Sequence, residues 1–464
     1  MNPPALQREI GPFSATTLVV ANMVGTGIFM TSGFIISEVG DPAGLLLCWL
    51  VGGVFSLCGA LCYAELGAAF PRAGGEYVFL RESFGPLAGF LSGWISLVVG
   101  FSAPIAAAAV AFASYFIRFL QINPGGLMEG GSLTQILALG VIVVFSLVHY
   151  HSLVFGSRVQ NALTAFKIGL ILIFIAAGFL FGDGSWSHFS PKGGVSVAFN
   201  GSFAVSLIFV SFAYSGWNAA AYLGGEIRQP ERNIPLALLA GTLIVVVLYL
   251  LLNALYIYAL PAGEMAGVME VGAQSAEALF GEGIGRFFSG AIALGILSVI
   301  SAMILAGPRI YYAMSRDKVF FRLFGQVNPG RRTPGRSISL QAAIAGFLVL
   351  TAAFDQLLIY IGFTLSLCTL ATVTGLMVLR YRNPGRITAY RTPGYPFPAL
   401  FFITGNLWIV WYSVQSRPVA SICGLATIGC GLMFYLLFSR IGGSSVAVST
   451  NCSIQERSNT GRLA

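Results

Sequence analysis

Charged residues are scarce in this chain, and their scarcity excludes an ordinary water-soluble domain. Only 9% of the 464 residues are Asp, Glu, Lys or Arg, whereas soluble domains carry about 25%. Hydrophobic residues make up 56%, and the mean hydropathy is +0.82. Apolar runs of about 20 residues, the length that crosses a bilayer, recur throughout the chain. The sequence therefore predicts an integral membrane protein.

Acidic residues are fewer than basic ones, 17 against 25, and the surplus follows membrane topology. In the spans assigned below, about 20 of the 25 Lys and Arg residues fall in the tails and in alternate loops, as the positive-inside rule requires. They include Arg72, Arg81, Arg158, Arg228, Arg232, Arg316, Lys318, Arg331, Arg332, Arg380, Arg382 and Arg386. The opposite loops carry Glu38, Asp41, Glu129, Asp183, Glu264, Glu270, Glu277, Glu282 and Asp355. Both termini are therefore predicted to be cytoplasmic, in the inner (plasma) membrane, and no nucleic-acid partner is expected.

Cysteine and histidine are too dispersed to indicate a disulfide framework or a metal centre. The seven cysteines lie in apolar spans or in the C-terminal tail, and none falls in a predicted external loop. A structural zinc site needs about four such ligands close together. His149 and His151 are neighbours without a third ligand nearby, so an interfacial position is expected for them. No metal and no cofactor is predicted.

Twelve apolar segments are candidate membrane spans, and an even number agrees with two termini on the same side. Several are longer than a straight crossing needs, so tilt is expected. The predicted spans are residues 13–36, 43–69, 85–118, 133–151, 158–182, 199–227, 236–260, 285–315, 338–354, 356–381, 397–413 and 419–439. Residues 1–440 would form a single transmembrane domain, and the polar residues 441–464 a flexible cytoplasmic tail.

The first predicted span is interrupted near the middle of the membrane. Gly25 lies about 18 Å into it, and Gly25 and Gly27 each weaken a helix by roughly 1 kcal/mol relative to alanine. Backbone groups freed within hydrocarbon must find partners in protein or in a wet cavity. A lone Gly-x-Gly also suits close packing between helices, so both interpretations stay open for this segment alone.

The sixth predicted span carries a second interruption at a similar depth, where Ser215, Gly216 and Asn218 stand within an apolar run. Broken segments at corresponding places in two halves indicate an inverted-repeat transporter with a site at the midplane. The two repeats would be residues 13–182 and 199–381, with extra helices in 397–439. The predicted fold is all-α, with about twelve transmembrane helices of which helices 1 and 6 are broken.

Two facing breaks suit a zwitterion. Helical segments that begin at a break expose N–H groups with partial positive charge, and segments that end there expose carbonyl groups with partial negative charge. The candidate carboxylate ligands are Gly25, Thr26 and Gly27, and the candidate ammonium ligands are carbonyls near Met23, Phe212 and Ser215. The sequence therefore predicts a site for a small molecule that carries both charges.

Four segments of the chain together form a recognisable pattern. They are Gly25–Phe29, Phe212–Asn218, Pro71–Glu82 and Glu226–Pro235. Jointly they resemble the L-amino acid transporter branch of the amino acid–polyamine–organocation superfamily, over about residues 10–440. The resemblance implies a leucine-transporter-type fold of five plus five helices. It also implies sodium-independent transport of L-amino acids by alternating access.

Lys167 is the most distinctive single position. It lies about nine residues, roughly 14 Å, into the predicted fifth span, where a lysine is costly and is a functional candidate by default. Snorkelling to the membrane surface is the alternative. By the resemblance, Lys167 stands where sodium-coupled relatives bind a cation, and its ammonium would link span 1 to spans 5 and 8.

Other residues of the second break are further candidates for the substrate site. Trp217 and Tyr214 would line or gate a pocket, or else pack between spans. Asn218 needs a polar partner within the protein at this depth. By the resemblance, some relatives have an acidic residue at the position of Ser215, which suits cationic substrates. Its neutral hydroxyl here favours neutral or small amino acids.

Charged residues near the predicted cytoplasmic ends form a candidate inner gate, with ordinary solvated loop charge as the alternative. These residues are Glu65, Glu76, Glu82 and Glu226 beside Arg72, Arg81, Arg228 and Arg232. Pro104 is expected to kink the third span, because it removes a helical hydrogen bond.

The sequence favours a secondary transporter that exchanges neutral L-amino acids. A proton-coupled symporter and a carrier of cationic amino acids or polyamines remain alternatives. A channel would need charged rings or a filter sequence, and an enzyme a clustered acid, base or metal site; neither is evident. By the resemblance, animal relatives bond a glycoprotein partner through an external cysteine. The corresponding stretch, Gln121–Ser132, has none, so no disulfide-linked heavy chain is expected.

Overall fold

The computed structural model describes seven parts of the chain: residues 6–121, 130–190, 201–328, 330–351, 354–385, 388–416 and 418–441. Throughout these parts the secondary structure is helical, and β-pairing is limited to two isolated bridges. Among the described residues, nine helical segments are long and apolar enough to cross a membrane, and three shorter apolar helices accompany them. These twelve segments correspond to the twelve predicted spans, and the protein is a multi-pass membrane protein.

The helix bounds follow the predicted spans, and four of the spans are divided into shorter helical segments. Spans 1 to 6 comprise Pro12–Met23, Thr26–Met30 and Ser32–Val39; Pro42–Ala69; Pro86–Ile95, Ser96–Ser102 and Ala103–Leu120; Gly130–His151; Leu153–Phe181; and Gly201–Ala213 with Ala219–Tyr222. Spans 7 to 12 comprise Pro230–Ala259; Glu282–Ala306 with Pro308–Arg316; Gly335–Thr351; Phe354–Arg382; Phe397–Ser416; and Pro418–Ile441. Shorter helices outside the spans are Glu76–Phe84, Trp186–Phe189, Ala262–Met265, Val271–Phe280 and Arg322–Gly325. The predicted tail, residues 441–464, falls outside the described residues apart from Ile441.

Local capping explains where some of the spans begin. The Asp41 carboxylate accepts a hydrogen bond from the Gly44 amide at 3.0 Å, and Pro42 occupies the first turn of span 2, where its missing N–H is no loss. The Ser152 hydroxyl accepts from the Phe155 amide at 3.3 Å and begins span 5 directly after span 4. With these caps, span 2 begins within a few residues of the end of span 1, and span 5 begins within a few residues of the end of span 4.

Spans 1, 3 and 8 form the centre of the described structure. Between 78% and 83% of the residues in their most apolar stretches are buried, compared with 28% to 33% in spans 4, 5 and 11. Large apolar side chains on the outer spans, such as Ile173 and Phe181 of span 5, are exposed, which suits a hydrocarbon surround. The broken helix of span 1 is therefore an inner element and is shielded by the others.

Span 3 contains a π-helical segment, Ser96–Ser102, immediately before Pro104. Pro104 cannot donate to the carbonyl one helical turn before it, and the π turn absorbs that mismatch where the sequence predicted a kink. Within the turn the Ser102 hydroxyl donates to the Leu97 carbonyl at 2.6 Å. Segments of this kind occur frequently at functional sites.

Several connecting segments meet on one side of the molecule, which we term the basic face. It comprises residues 6–11 and the described loop residues 70–85, 223–229, 317–328, 330–334, 383–385 and 388–396. The Ile10 amide donates to the Glu226 carbonyl at 2.9 Å, and Ala73 forms a bridge with Leu223. Arg81 bonds Asp317 across two of the loops. These contacts place on a single side the loops that the sequence grouped by charge.

Candidate substrate site

The first break lies at the predicted residues. The helix that begins at Pro12 ends at Met23, and a new segment begins at Thr26. The Gly25 amide donates to the Met23 carbonyl at 2.8 Å, so it already has an acceptor. Thr26 and Gly27 are the first residues of the new segment, and amides in that position have no acceptor within their own helix.

The second break touches the first. Between Ala213 and Ala219 the chain is irregular, and Gly216 adopts a φ of +97°, which favours glycine. A Cβ at Gly216 would lie 2.8 Å from Asn22 Nδ2 and 2.9 Å from the Asn22 carbonyl oxygen. Asn22 Nδ2 in turn donates to the Gly216 carbonyl at 3.4 Å. Sequence reasoning did not select Asn22, although an amide beside a helix break was a usable signal.

The two glycines of the first break have different roles. A Cβ at Gly27 would lie 2.6 Å from Ala213 Cα, so Gly27 permits the close approach of spans 1 and 6. A Cβ at Gly25 would meet only ordinary contacts, the nearest being the Val299 side chain at 3.6 Å. Close helix packing therefore accounts for Gly27, and Gly25 is the glycine that packing leaves unexplained.

Lys167 holds the ends of the first break from span 5. Its side chain is completely buried, which excludes snorkelling. The ammonium Nζ donates to the Ala21 carbonyl at 3.1 Å and also to the Val24 carbonyl. The stem of the side chain lies against Gly295 of span 8, where a Cβ would come within 3.4 Å of it. Lys167 of span 5 thus contacts spans 1 and 8, the two other spans that the resemblance implied.

Tyr249 of span 7 holds both helical segments that end at the breaks. Its hydroxyl oxygen lies 2.7 Å from the Met23 carbonyl oxygen and 3.1 Å from that of Ala213. A phenol has one proton, so it donates to one carbonyl at a time. Sequence reasoning missed Tyr249, because a tyrosine inside an apolar span carries no local signal of its partner.

Two neighbouring chambers lie between the breaks, of about 30 Å³ and about 80 Å³. Their linings share five residues: Asn22, Pro104, Phe212, Ser215 and Met303. The smaller chamber adds Met23, Gly25, Thr26 and Gly27, and the larger adds Trp217, Asn218, Glu76, Ser56 and Tyr222 among others. Eight of the nine predicted substrate residues therefore line one chamber or the other.

Tyr214 is the predicted residue that lines neither chamber. Its hydroxyl donates to the Trp49 carbonyl at 3.1 Å. Its ring centroid lies 5.0 Å from that of Tyr249 and 5.6 Å from that of Trp49. The structure thus places Tyr214 in aromatic packing between spans 2, 6 and 7, the second of its two predicted alternatives.

Glu76 belongs to the wall of the larger chamber, although the sequence placed it in a loop gate. Gly74 and Gly75, both with positive φ, turn the chain inwards just before it. The Glu76 carboxylate accepts from the Tyr63 hydroxyl at 2.6 Å and from Asn218 Nδ2 at 2.8 Å. Asn218 therefore has the internal polar partner that its depth demanded.

The other buried glutamates have partners that differ from those expected. Glu226 binds Arg309, with Nε–Oε2 and Nη2–Oε1 distances of 2.8 and 3.0 Å, and not the neighbouring arginines of its own loop. Glu65 binds Arg380, with Nε–Oε1 at 2.8 Å. Arg81 and Glu82, both candidate gate residues, bond each other, and Arg81 also bonds Asp317. Arg309 and Arg380 were not among the candidate gate residues, because they lie far along the chain from Glu226 and Glu65.

His149 is buried and not interfacial, which corrects the expectation for this residue. Its Nε2 lies 2.8 Å from the Ser301 hydroxyl oxygen, so it links span 4 to span 8. His151 is exposed. Among the described residues, no group of three or more His, Cys, Asp or Glu side chains is arranged to hold a metal ion.

Comparison with known proteins gives the family. Residues 10–455 match the amino acid permease family. The serine/threonine exchanger SteT of Bacillus subtilis (strain 168) is 30% identical over 91% of this chain and 94% of its own length. The human large neutral amino acids transporter small subunit 2 is 28% identical over 93% and 81%, and the human b(0,+)-type amino acid transporter 1 is 28% identical over 94% and 88%. The chain therefore belongs to the amino acid permease family, in the L-amino acid transporter-like branch of the amino acid–polyamine–organocation superfamily.

Proposed function

We propose that this protein is a sodium-independent exchanger of neutral L-amino acids that works by alternating access. The observation that carries the proposal is the meeting of the two helix breaks at one pair of chambers. A substrate carboxylate would bind the amides of Thr26 and Gly27 and the Thr26 hydroxyl. Its ammonium would bind carbonyls at the ends of the broken segments, near Phe212 and Ser215.

Lys167 supports sodium independence. Its ammonium occupies the carbonyls of Ala21 and Val24, which are the kind of oxygen ligands that a cation needs. A fixed positive charge at these carbonyls stabilises the broken helix without a bound ion. We therefore expect exchange to proceed at the same rate when sodium is replaced.

The chamber linings support small neutral substrates. Among the described residues, no Lys or Arg lines either chamber, and the lining carboxylate of Glu76 accepts hydrogen bonds from protein donors. One water needs about 10–15 Å³ of such volume, so the larger chamber of about 80 Å³ has room for a few non-hydrogen atoms. The first relative named above is a serine/threonine exchanger, which agrees with a small side chain.

A second candidate is a carrier of cationic amino acids, or a proton-coupled carrier. The observation that favours it is the same Glu76 carboxylate in the chamber wall. A carboxylate facing a cavity suits a cationic side chain or a proton. It ranks second because Tyr63 and Asn218 already donate hydrogen bonds to the Glu76 carboxylate and would compete with a cationic side chain.

Exchange by purified protein in proteoliposomes tests the proposal. Vesicles loaded with L-serine, L-leucine or L-arginine are placed in radiolabelled L-serine, with sodium or choline as the external cation. We expect saturable uptake that internal L-serine accelerates, that D-serine does not compete with, and that sodium leaves unchanged. Uptake without internal amino acid or driven by sodium would refute exchange, and preferential acceleration by internal L-arginine would favour the second candidate.

For topology, we propose that the basic face is cytoplasmic and that the protein lies in the plasma membrane. The positive-inside rule supports this orientation. We also propose that transport needs no disulfide-linked partner, because Gln121–Ser132 contains no cysteine. Reconstituted exchange by this chain alone tests that statement.

A further inference from the structure

Glu76 differs from the two other buried glutamates near the basic face. Glu226 and Glu65 each bind an arginine through two hydrogen bonds. Glu76 is only 2% exposed, and among the described residues no cationic side chain forms an ion pair with it. A buried carboxylate without a cation is costly in its charged form.

The groups around Glu76 come from three spans. Span 2 contributes Tyr63, span 6 contributes Asn218 and Tyr222, and span 10 contributes Cys368. Every one of these groups is neutral at physiological pH. Glu76 itself begins the short helix between spans 2 and 3. Burial raises the pKa of Glu76, although hydrogen bonds from Tyr63, Asn218 and Tyr222 lower it in part.

We propose that Glu76 is a proton-binding site in the chamber wall, and that its proton stabilises the conformation in which this wall is closed towards the basic face. When Glu76 binds the proton, a new O–H bond forms on its carboxylate, and the proton comes from water at the basic face. The neutral acid still accepts from Asn218 through its carbonyl oxygen, and its hydroxyl donates to a tyrosine oxygen. Opening of the wall hydrates the carboxylate, and the proton returns to water.

This proposal deepens the proposed function, on which it rests in taking the chambers as the substrate path. It predicts that acid favours the wall closed towards the basic face and that alkali favours it open. Trp217 reports on the wall, because its ring centroid lies 4.7 Å from that of Tyr63 and it lines the larger chamber. Movement of the wall can therefore be followed through Trp217, separately from proton binding at Glu76.

The decisive experiment is a pH titration of purified protein in nanodiscs by infrared difference spectroscopy, without any substrate. We expect a carbonyl stretch of a protonated carboxyl group that disappears as pH rises and that Glu76→Gln removes. Glu82→Gln, on the same short helix, is the matched control and should retain the band. Tyr63→Phe removes a donor to the charged form, so the band should persist to higher pH. A band unchanged in Glu76→Gln would overturn the proposal.

Acrylamide quenching of tryptophan fluorescence tests the effect on the wall. The contribution of Trp217 is isolated by subtraction of a Trp217→Phe variant. We expect its quenching to increase with pH in the unaltered protein and to stay at the low-pH value in Glu76→Gln. Equal pH dependence in both would contradict control by Glu76. Because neither measurement needs an amino acid, failure of the exchange assay would refute the proposed function and leave this result standing.

Discussion

The two helix breaks share contacts with Tyr249, but a lysine ammonium also holds the first and a glutamate carboxyl group also holds the second. At the first, the ammonium of Lys167 and the hydroxyl of Tyr249 donate to carbonyls that end a helical segment. At the second, the carboxylate of Glu76 accepts from Asn218, just after the irregular turn. The side chains at the first break therefore donate hydrogen bonds to exposed carbonyl groups, whereas Glu76 at the second break accepts one from a side-chain amide.

The breaks also differ in which of their groups, backbone or side chain, make the contacts to the rest of the protein. The first is fixed to spans 5 and 7 through its backbone. The second also has backbone contacts, from Tyr249 to the Ala213 carbonyl and from Asn22 to the Gly216 carbonyl. It is fixed in addition through side chains, by Glu76 on one side and by the Glu226–Arg309 pair beyond Tyr222. Backbone contacts do not depend on the identity of the residue at the break, whereas side-chain contacts do. The second break is therefore the one that single substitutions alter most selectively.

The largest expected effect comes from breaking the ion pair beyond the second break. Glu226→Gln leaves the Arg309 guanidinium buried without a counter-charge, since both side chains are at most 1% exposed. Loss of one partner of a buried pair costs about 3–5 kcal/mol, so we expect a marked fall in the melting temperature in detergent. Glu76→Gln is the matched control. Glu76 is not paired with a cation, so this variant should melt close to the unaltered protein. Equal destabilisation by the two changes would contradict the contrast between the glutamates.

Lys167→Met should have the next largest effect, chiefly on transport. Methionine keeps most of the length of the side chain but removes the donor to the Ala21 and Val24 carbonyls. A hydrogen bond from a charged group contributes about 1.5–3 kcal/mol, which corresponds to tenfold or more in exchange rate. Initial rates in proteoliposomes check this, with Lys167→Arg retaining the charge as a control. Exchange and pH dependence like those of the unaltered protein would show that Lys167 has no part in transport.

The smallest expected effects separate the two glycines of the first break. Gly27→Ala would place a Cβ 2.6 Å from Ala213 Cα, and overpacking of this kind costs about 1–3 kcal/mol; it should lower the melting temperature. Gly25→Ala meets no such clash and should fold normally, but its methyl group enters the smaller chamber and should weaken substrate binding. Melting curves and the concentration dependence of exchange distinguish the two. Normal affinity in Gly25→Ala would argue against a substrate beside this break.

Sequence reasoning predicted the architecture well, for a reason that is local. The helix ends at Met23 and resumes at Thr26 within the predicted interruption, and the second break begins after Ala213 as expected. Both follow from the loss of helix propensity at glycines within an apolar run. The π-helical segment before Pro104 was not predicted in that form, because a proline signals a distortion without specifying which one.

Sequence reasoning was weaker on which side chains meet. It grouped Glu226 with the arginines of the nearby loops and did not name Arg309, which lies 83 residues further on. It placed Glu76 in a loop gate, whereas the carboxylate reaches Asn218 across 142 residues. It missed Tyr249 entirely. In each case the partner lies on another span, and the choice depends on how the helices pack.

The sequence by itself determined that this is a membrane protein of twelve spans, that two of the spans are broken, and which family it belongs to. The first two properties follow from the length of apolar runs and from the need to satisfy the backbone within hydrocarbon. The family follows from the four segments that together form its pattern. Only the tertiary structure decided that the breaks touch through Asn22 and Gly216, that Lys167 holds one of them, and that Glu76 faces the chamber without a cation. Those contacts join residues far apart in the chain, and close packing of the spans selects them.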